Sequence, residues 1–184
     1  MDEALRIAEA LVFASEKPIT RDQLARLLPE GSDVDVVVDA LAARYAGRGV
    51  ELAEVAGGIV FRTAPDLAAR LTKVIEAPRR LPRAAMEALA IIAYHQPCTR
   101  GEIEEIRGTA LSQTSLEALL ELGLIAPRGR RETPGRPALW GTTEAFLEKF
   151  ALRQLTDLPK REELTSTETA PGLPLPGLSR DGAP

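Results

Sequence analysis

The chain repeats itself, and the repeat limits what it can fold into. Lys17-Pro18-Ile19-Thr20-Arg21 returns as Gln96-Pro97-Cys98-Thr99-Arg100, a shift of 79 residues. The same shift carries Ala14 onto Ala93, Leu24 onto Ile103, Leu27 onto Ile106, Val37 onto Leu116 and Leu41 onto Leu120. Further on it carries Phe61-Arg62-Thr63 onto Trp140-Gly141-Thr142, and Leu67 and Leu71 onto Phe146 and Phe150. One offset held over so long a stretch marks a duplicated unit. The expected organisation is two copies of one domain, 1–78 and 83–158, joined by a linker at 79–82 and followed by a tail, 159–184.

Each copy shows the same order of elements. Apolar residues at helical spacing predict first helices over 2–15 and 83–95, each followed by a proline, Pro18 or Pro97, that the helix cannot run into. Thr20-Arg21-Asp22-Gln23 and Thr99-Arg100-Gly101-Glu102 fit the capping box, in which the Thr side chain and the Gln or Glu three residues on satisfy each other's orphan amides. Short second helices are expected over 21–28 and 100–107, ended by Pro29 and Gly108. Third helices follow over 33–47 and 114–122, the latter opened by a further box at Thr114-Ser115-Leu116-Glu117.

The period then changes from helical to alternating. Residues 50–55 and 59–62 read as a β-hairpin turning on Gly57-Gly58. In the second copy the strands are 124–126 and 138–140, split by a polar loop from Arg128 to Pro137. Closing helices follow over 65–76 and 143–150. Three helices and a hairpin predict a mainly α fold with small β-hairpin wings, as tandem winged helix-turn-helix domains. The tail has 5 Pro and 3 Gly in 26 residues and is expected to be disordered.

Composition narrows the function. Only 7 residues are aromatic, so the cores must be aliphatic, and the one cysteine, Cys98, rules out an internal disulfide. The start, Met-Asp-Glu-Ala-Leu-Arg, lacks the basic and apolar regions of a secretory signal, and no apolar run reaches the ~18–20 residues of a membrane span. A cytoplasmic protein is expected. P-loop, nucleophile-elbow and His-Glu-x-x-His motifs are absent from the sequence. His95 and Cys98 stand three apart, but a nucleophilic thiol needs a positioned base and usually an orienting group as well. No enzyme activity, cofactor or metal site is expected.

The second copy carries an ordered series of motifs. Ala90-Ile91-Ile92-Ala93-Tyr94, Ile106-Arg107-Gly108, Pro134-Gly135-Arg136-Pro137 and Gly141-Thr142-Thr143 together resemble the segregation and condensation protein B family, and the resemblance runs over about 1–158. It implies tandem winged helices that form a homodimer largely through the N-terminal domain. It also implies binding, by the C-terminal domain, to the kleisin subunit, segregation and condensation protein A. Through the kleisin the protein would reach the SMC (structural maintenance of chromosomes) ATPase and the nucleoid. Cys98, where the family often has an aliphatic residue, is a departure.

The alternative is a winged-helix transcription regulator. Such a protein lays its third helix in the major groove and needs Lys and Arg for phosphates. The third helices here offer Glu117 and Glu121, and Asp33, Asp35 and Asp39 against Arg44 and Arg48. Strong direct DNA binding is therefore not expected. The candidate partner-binding residues are Leu119 and Leu122, which fall off the stripe of Leu116 and Leu120, and the wing arginines Arg128, Arg130, Arg131 and Arg136. The leucines form either a groove for a partner helix or a broad core face. The arginines form either an anchor for an acidic partner or a solvated loop. Trp140 is expected to be a packing residue, the counterpart of Phe61.

Overall fold

A computed structural model describes residues 2–71 and 81–160. The chain divides into two compact units: Met1–Ala77 with Ala151–Gln154, and Pro78–Phe150 resuming at Leu155. The first half of the expected linker, 79–80, lies outside the described residues, as do the end of the first closing helix and the tail from 161.

In the first unit the order is α1 (Asp2–Ala14), β1 (Ile19–Thr20), α2 (Arg21–Ala25), α3 (Val34–Tyr45), β2 (Val50–Val55), β3 (Gly58–Thr63) and α4 (Pro65–Leu71). In the second it is α5 (Arg83–His95), β4 (Cys98–Thr99), α6 (Arg100–Arg107), α7 (Gln113–Glu121), β5 (Ile125–Arg130), β6 (Ala138–Thr142) and α8 (Glu144–Phe150). Each unit is thus helical with a small antiparallel sheet, in the orders β1-β3-β2 and β4-β6-β5.

The capping boxes set the helix starts. The Thr20 and Thr99 hydroxyls accept the amides of Gln23 and Glu102, and both side chains reach back. The same two threonines are paired in the sheets through two-residue strands, β1 and β4, too short for any sequence period to show. Ile19 lies opposite Ile59, and Cys98 opposite Trp140. By that register Trp140 matches Ile59 rather than Phe61. The slip is two residues, which keeps every side chain on its own face of the sheet.

The first hairpin turns on Ala56-Gly57, at φ 51° and 72°, one residue earlier than the sequence suggested. Two central residues with positive φ are what a tight hairpin turn requires. Gly58 is glycine for another reason. A Cβ there would lie 2.9 Å from the carbonyl carbons of both Pro18 and Ile19, which are backbone and cannot move aside.

The cores are aliphatic. Ala4, Ala8 and Val12 of α1 pack with Leu24, Val37, Val38, Leu41 and Ile59. In the second unit Leu89, Ile92, Ile103, Leu111, Leu116, Leu119, Leu124 and Phe146 are buried. Burial of this kind stabilises by ~1.5–3 kcal/mol per large side chain.

Candidate partner-binding site

Helix α7 is capped by Ser112, whose hydroxyl accepts the Ser115 amide at 3.1 Å. The box expected at Thr114 does not form, because the helix already begins at Gln113. The cap at Ser112 stands 79 residues after the cap of α3, Asp33, yet the buried faces do not keep that offset. Val37, Val38 and Leu41 are buried in α3, and Ser115, Leu116 and Leu119 in α7. These sets stand 78 apart. At an offset of 79, Glu117 would take the inward place of Val38, and burying an unpaired carboxylate is costly. A roll of one residue, about 100° of a 3.6-residue turn, keeps Glu117 exposed, where it accepts from Gln113 at 3.0 Å.

The roll separates the two candidate leucines. Leu119 takes the place of Leu41 and, like it, has 0% of its surface exposed. It packs in the core, the second of the two alternatives open for that position, and presents no surface in this chain. Leu120 moves off the core centre to a half-buried place. Leu122, at the C-cap of α7, remains 46% exposed.

The basic hairpin is more ordered than a polar loop. Strand β5 runs on to Arg130, with a bulge between Pro127 and Arg130. Pro127 is tolerated because β5 is an edge strand. Arg128 folds across Gly141 and donates to the Thr142 carbonyl. A Cβ on Gly141 would meet the Arg128 Cγ at 2.7 Å and the Gln96 Oε1 at 2.8 Å. Gln96 in turn accepts the Thr142 amide at 2.7 Å, and Thr143 caps α8 by accepting from Phe146 at 3.3 Å. Gly141-Thr142-Thr143 is therefore a packing motif.

The arginines divide into two kinds. Arg131 is tied to Glu102 at 2.8 Å, and Glu102 is the glutamate of the α6 capping box. The Thr99 amide, with smaller help from Arg131, holds the Glu102 carboxyl below the usual carboxylate range. Arg130 donates to the Arg136 carbonyl at 3.1 Å. Arg136 follows Gly135 (φ 84°) and itself sits at φ 40°, so two successive residues, not the glycine alone, make the turn. Among the described residues no carboxylate lies within ion-pairing distance of Arg128, Arg130 or Arg136, and all three are exposed.

The loop before α7 is held by charge. Arg100 bonds Glu104 at 3.0 Å and Gln113 at 3.2 Å, and also the Leu111 carbonyl. Glu104 accepts the Leu111 amide at 2.9 Å; that amide, then Arg100, holds its carboxyl low. The third helices keep their acids on the surface, with Asp35 paired to Arg21 at 2.9 Å. That surface suits a DNA groove poorly.

Cys98 is buried in β4, and burial pushes its thiol up, away from the thiolate a nucleophile needs. His95 is exposed at the end of α5. No cluster of three or more metal-binding side chains occurs among the described residues, and no helix there is long and apolar enough to cross a membrane.

Several exposed apolar residues escaped the sequence. Phe13, on α1 beside the Ala4-Ala8-Val12 stripe, is 83% exposed, and Leu27 and Val36 are exposed in the same unit. A groove of about 620 Å³ lined by Leu11, Pro18, Ile19 and Leu27 opens there. Tyr94 and Ile106 are exposed in the second unit. Phe13 could have been found from its helical phase, which points away from the buried stripe.

Residues 6–161 match the family described as "Segregation and condensation complex subunit ScpB". The chain is 43% identical over 180 residues to segregation and condensation protein B of Symbiobacterium thermophilum, covering 96% of this chain and 80% of that protein. It is 40% identical over 168 residues to the segregation and condensation protein B homolog of Coxiella burnetii, covering 88% and 80%. It is 41% identical over 162 residues to the Bacillus subtilis protein of the same family name, covering 85% and 82%.

Proposed function

The chain belongs to the segregation and condensation complex subunit ScpB family, and on that premise we propose that it is a non-catalytic subunit of a bacterial SMC–kleisin complex. It binds the kleisin, segregation and condensation protein A, in chromosome condensation and segregation. The observation that carries this function is the family match running through both units, over residues 6–161.

Each unit is read as a winged helix. The order helix, short strand, two helices and hairpin supports that, as does the return of the same order in the second unit. The protein works as a homodimer through the first unit. Exposed Phe13, Leu27 and Val36, with the groove beside Leu27, support this, since large apolar side chains left to solvent gain from a partner that covers them. The second unit takes the kleisin, with exposed Leu122 as the apolar contact in place of the Leu119–Leu122 pair. A groove-binding helix needs such an anchor. The protein is brought to the nucleoid by the complex it joins.

The test is light scattering after gel filtration of the full chain, alone and mixed with its cognate kleisin. A dimer that co-elutes with the kleisin is expected and gives the stoichiometry. A monomer that never shifts on adding kleisin overturns the proposal. The transcription-regulator alternative is weaker because the third helices present carboxylates where a groove-reading helix needs cations.

A further inference from the structure

We propose that the β5–β6 hairpin touches the phosphate backbone of duplex DNA without regard to sequence, through Arg128, Arg130 and Arg136. The inference rests on the chromosomal function above only for how the hairpin comes to meet DNA. The contact itself is argued from charge. The hairpin holds four arginines and one glutamate between 128 and 137. Arg131 is neutralised by Glu102. The other three arginines have no carboxylate partner among the described residues, and Glu132, exposed on the same loop, leaves a net charge of about two positives.

Their layout suits a polyanion. Arg128 is pinned at the Thr142 carbonyl, at one end of β6, and Arg130 at the Arg136 carbonyl, beyond the other end. Five strand residues at about 3.4 Å each separate those ends, so the charges lie along a ribbon. Each guanidinium has five donors and spends few of them internally, so donors remain for phosphate oxygens. The tip residues between them, Gly129, Thr133, Pro134 and Gly135, include no large apolar side chain. Protein partners are usually held by apolar or aromatic anchors set in pockets, whereas phosphate contacts need only oriented cations. The acidic third helices keep the duplex at the wing and out of any groove-reading pose.

The test measures binding of the full chain to a labelled ~30-base-pair duplex by anisotropy, from 50 to 200 mM salt. Three phosphate contacts predict a slope of about −2.7 in log K against log salt, roughly a 40-fold loss over that range. The variant Arg130→Gln with Arg136→Gln removes two contacts and flattens the slope to about −0.9. A scrambled duplex binds equally. Kleisin co-elution is unchanged in the variant, and the fluorescence of Trp140 confirms that the unit is folded. A slope unchanged by the two substitutions overturns the proposal. So does loss of kleisin co-elution with DNA binding intact, which assigns the wing to an acidic protein segment instead.

Discussion

The sharpest test of the packing argument is Leu119→Ala beside Leu122→Ala. Leu119 is fully buried on the inward face of α7, between Leu116 and the start of β5. Truncating a buried leucine costs ~2–5 kcal/mol, the transfer term plus the cavity left behind. A domain of about 75 residues holds only ~4–11 kcal/mol in total, so a mid-range loss of ~3 kcal/mol removes a large share of it. With a urea m-value of ~1.5 kcal/mol/M, the unfolding midpoint should fall by about 2 M. Trp140 is the only tryptophan in the chain and sits in β6, so its fluorescence reports the second unit alone. Leu122, nearly half exposed, should shift the same midpoint by ~0.3 M or less, while weakening the kleisin complex. If Leu119→Ala leaves the Trp140 transition in place and abolishes kleisin binding, the roll of α7 is wrong and both leucines belong to a surface groove.

Two further outcomes follow from the geometry. Gly58→Ala should separate β1 from β3, because its Cβ meets backbone at 2.9 Å. Gly57→Ala, in open space at φ 72°, should cost only the ~1–2 kcal/mol of a left-handed residue. Hydrogen exchange at the β1–β3 amides separates the two, and equal protection in both variants would refute the close-approach argument. Glu104 has a carboxyl pKa lowered in the folded state by the Leu111 amide and Arg100. Its stabilisation is therefore present above the unfolded carboxylate range and is lost as pH falls through the lower folded value. Glu104→Gln keeps an acceptor for the amide but should flatten the acid limb of the Trp140 midpoint; an unchanged acid limb would remove Glu104 from that role.

Much of the scaffold was legible because it is written in local chemistry. The capping threonines, Gly108 closing α6 at φ 71° and the alternation of β2 and β3 each act within a few residues. What was not legible depends on chain brought together from afar. Strands β1 and β4 are two residues long and exist only because β3 and β6 lie beside them. The roll of α7 is a choice between burying Glu117 and burying Leu119, made by the packed core and not by the helix's own sequence. The wing arginines looked alike in sequence, yet Arg131 finds a partner 29 positions earlier in the chain and the others do not. A count of cations in a loop cannot make that distinction.

The two units keep one order of elements and make one tie with its polarity reversed. In the first unit Arg21, just after the cap of α2, reaches Glu54 on β2 at 2.7 Å. In the second unit Glu102, just inside α6, reaches Arg131, one residue past the end of β5, at 2.8 Å. The same tie between second helix and wing is made each time, with the arginine on the helix in one copy and on the wing in the other. Exposed ion pairs such as these contribute only ~0–1 kcal/mol, so stability exerts little pull on which side carries which sign. The sign of the wing's surplus is therefore free to serve binding. The first hairpin carries Glu51, Glu54 and Arg62, with Glu54 spent on Arg21, whereas the second keeps a surplus of arginines after Arg131 is spent on Glu102. The tie between second helix and hairpin is thus kept in both units, while the charge surplus is left on the second hairpin.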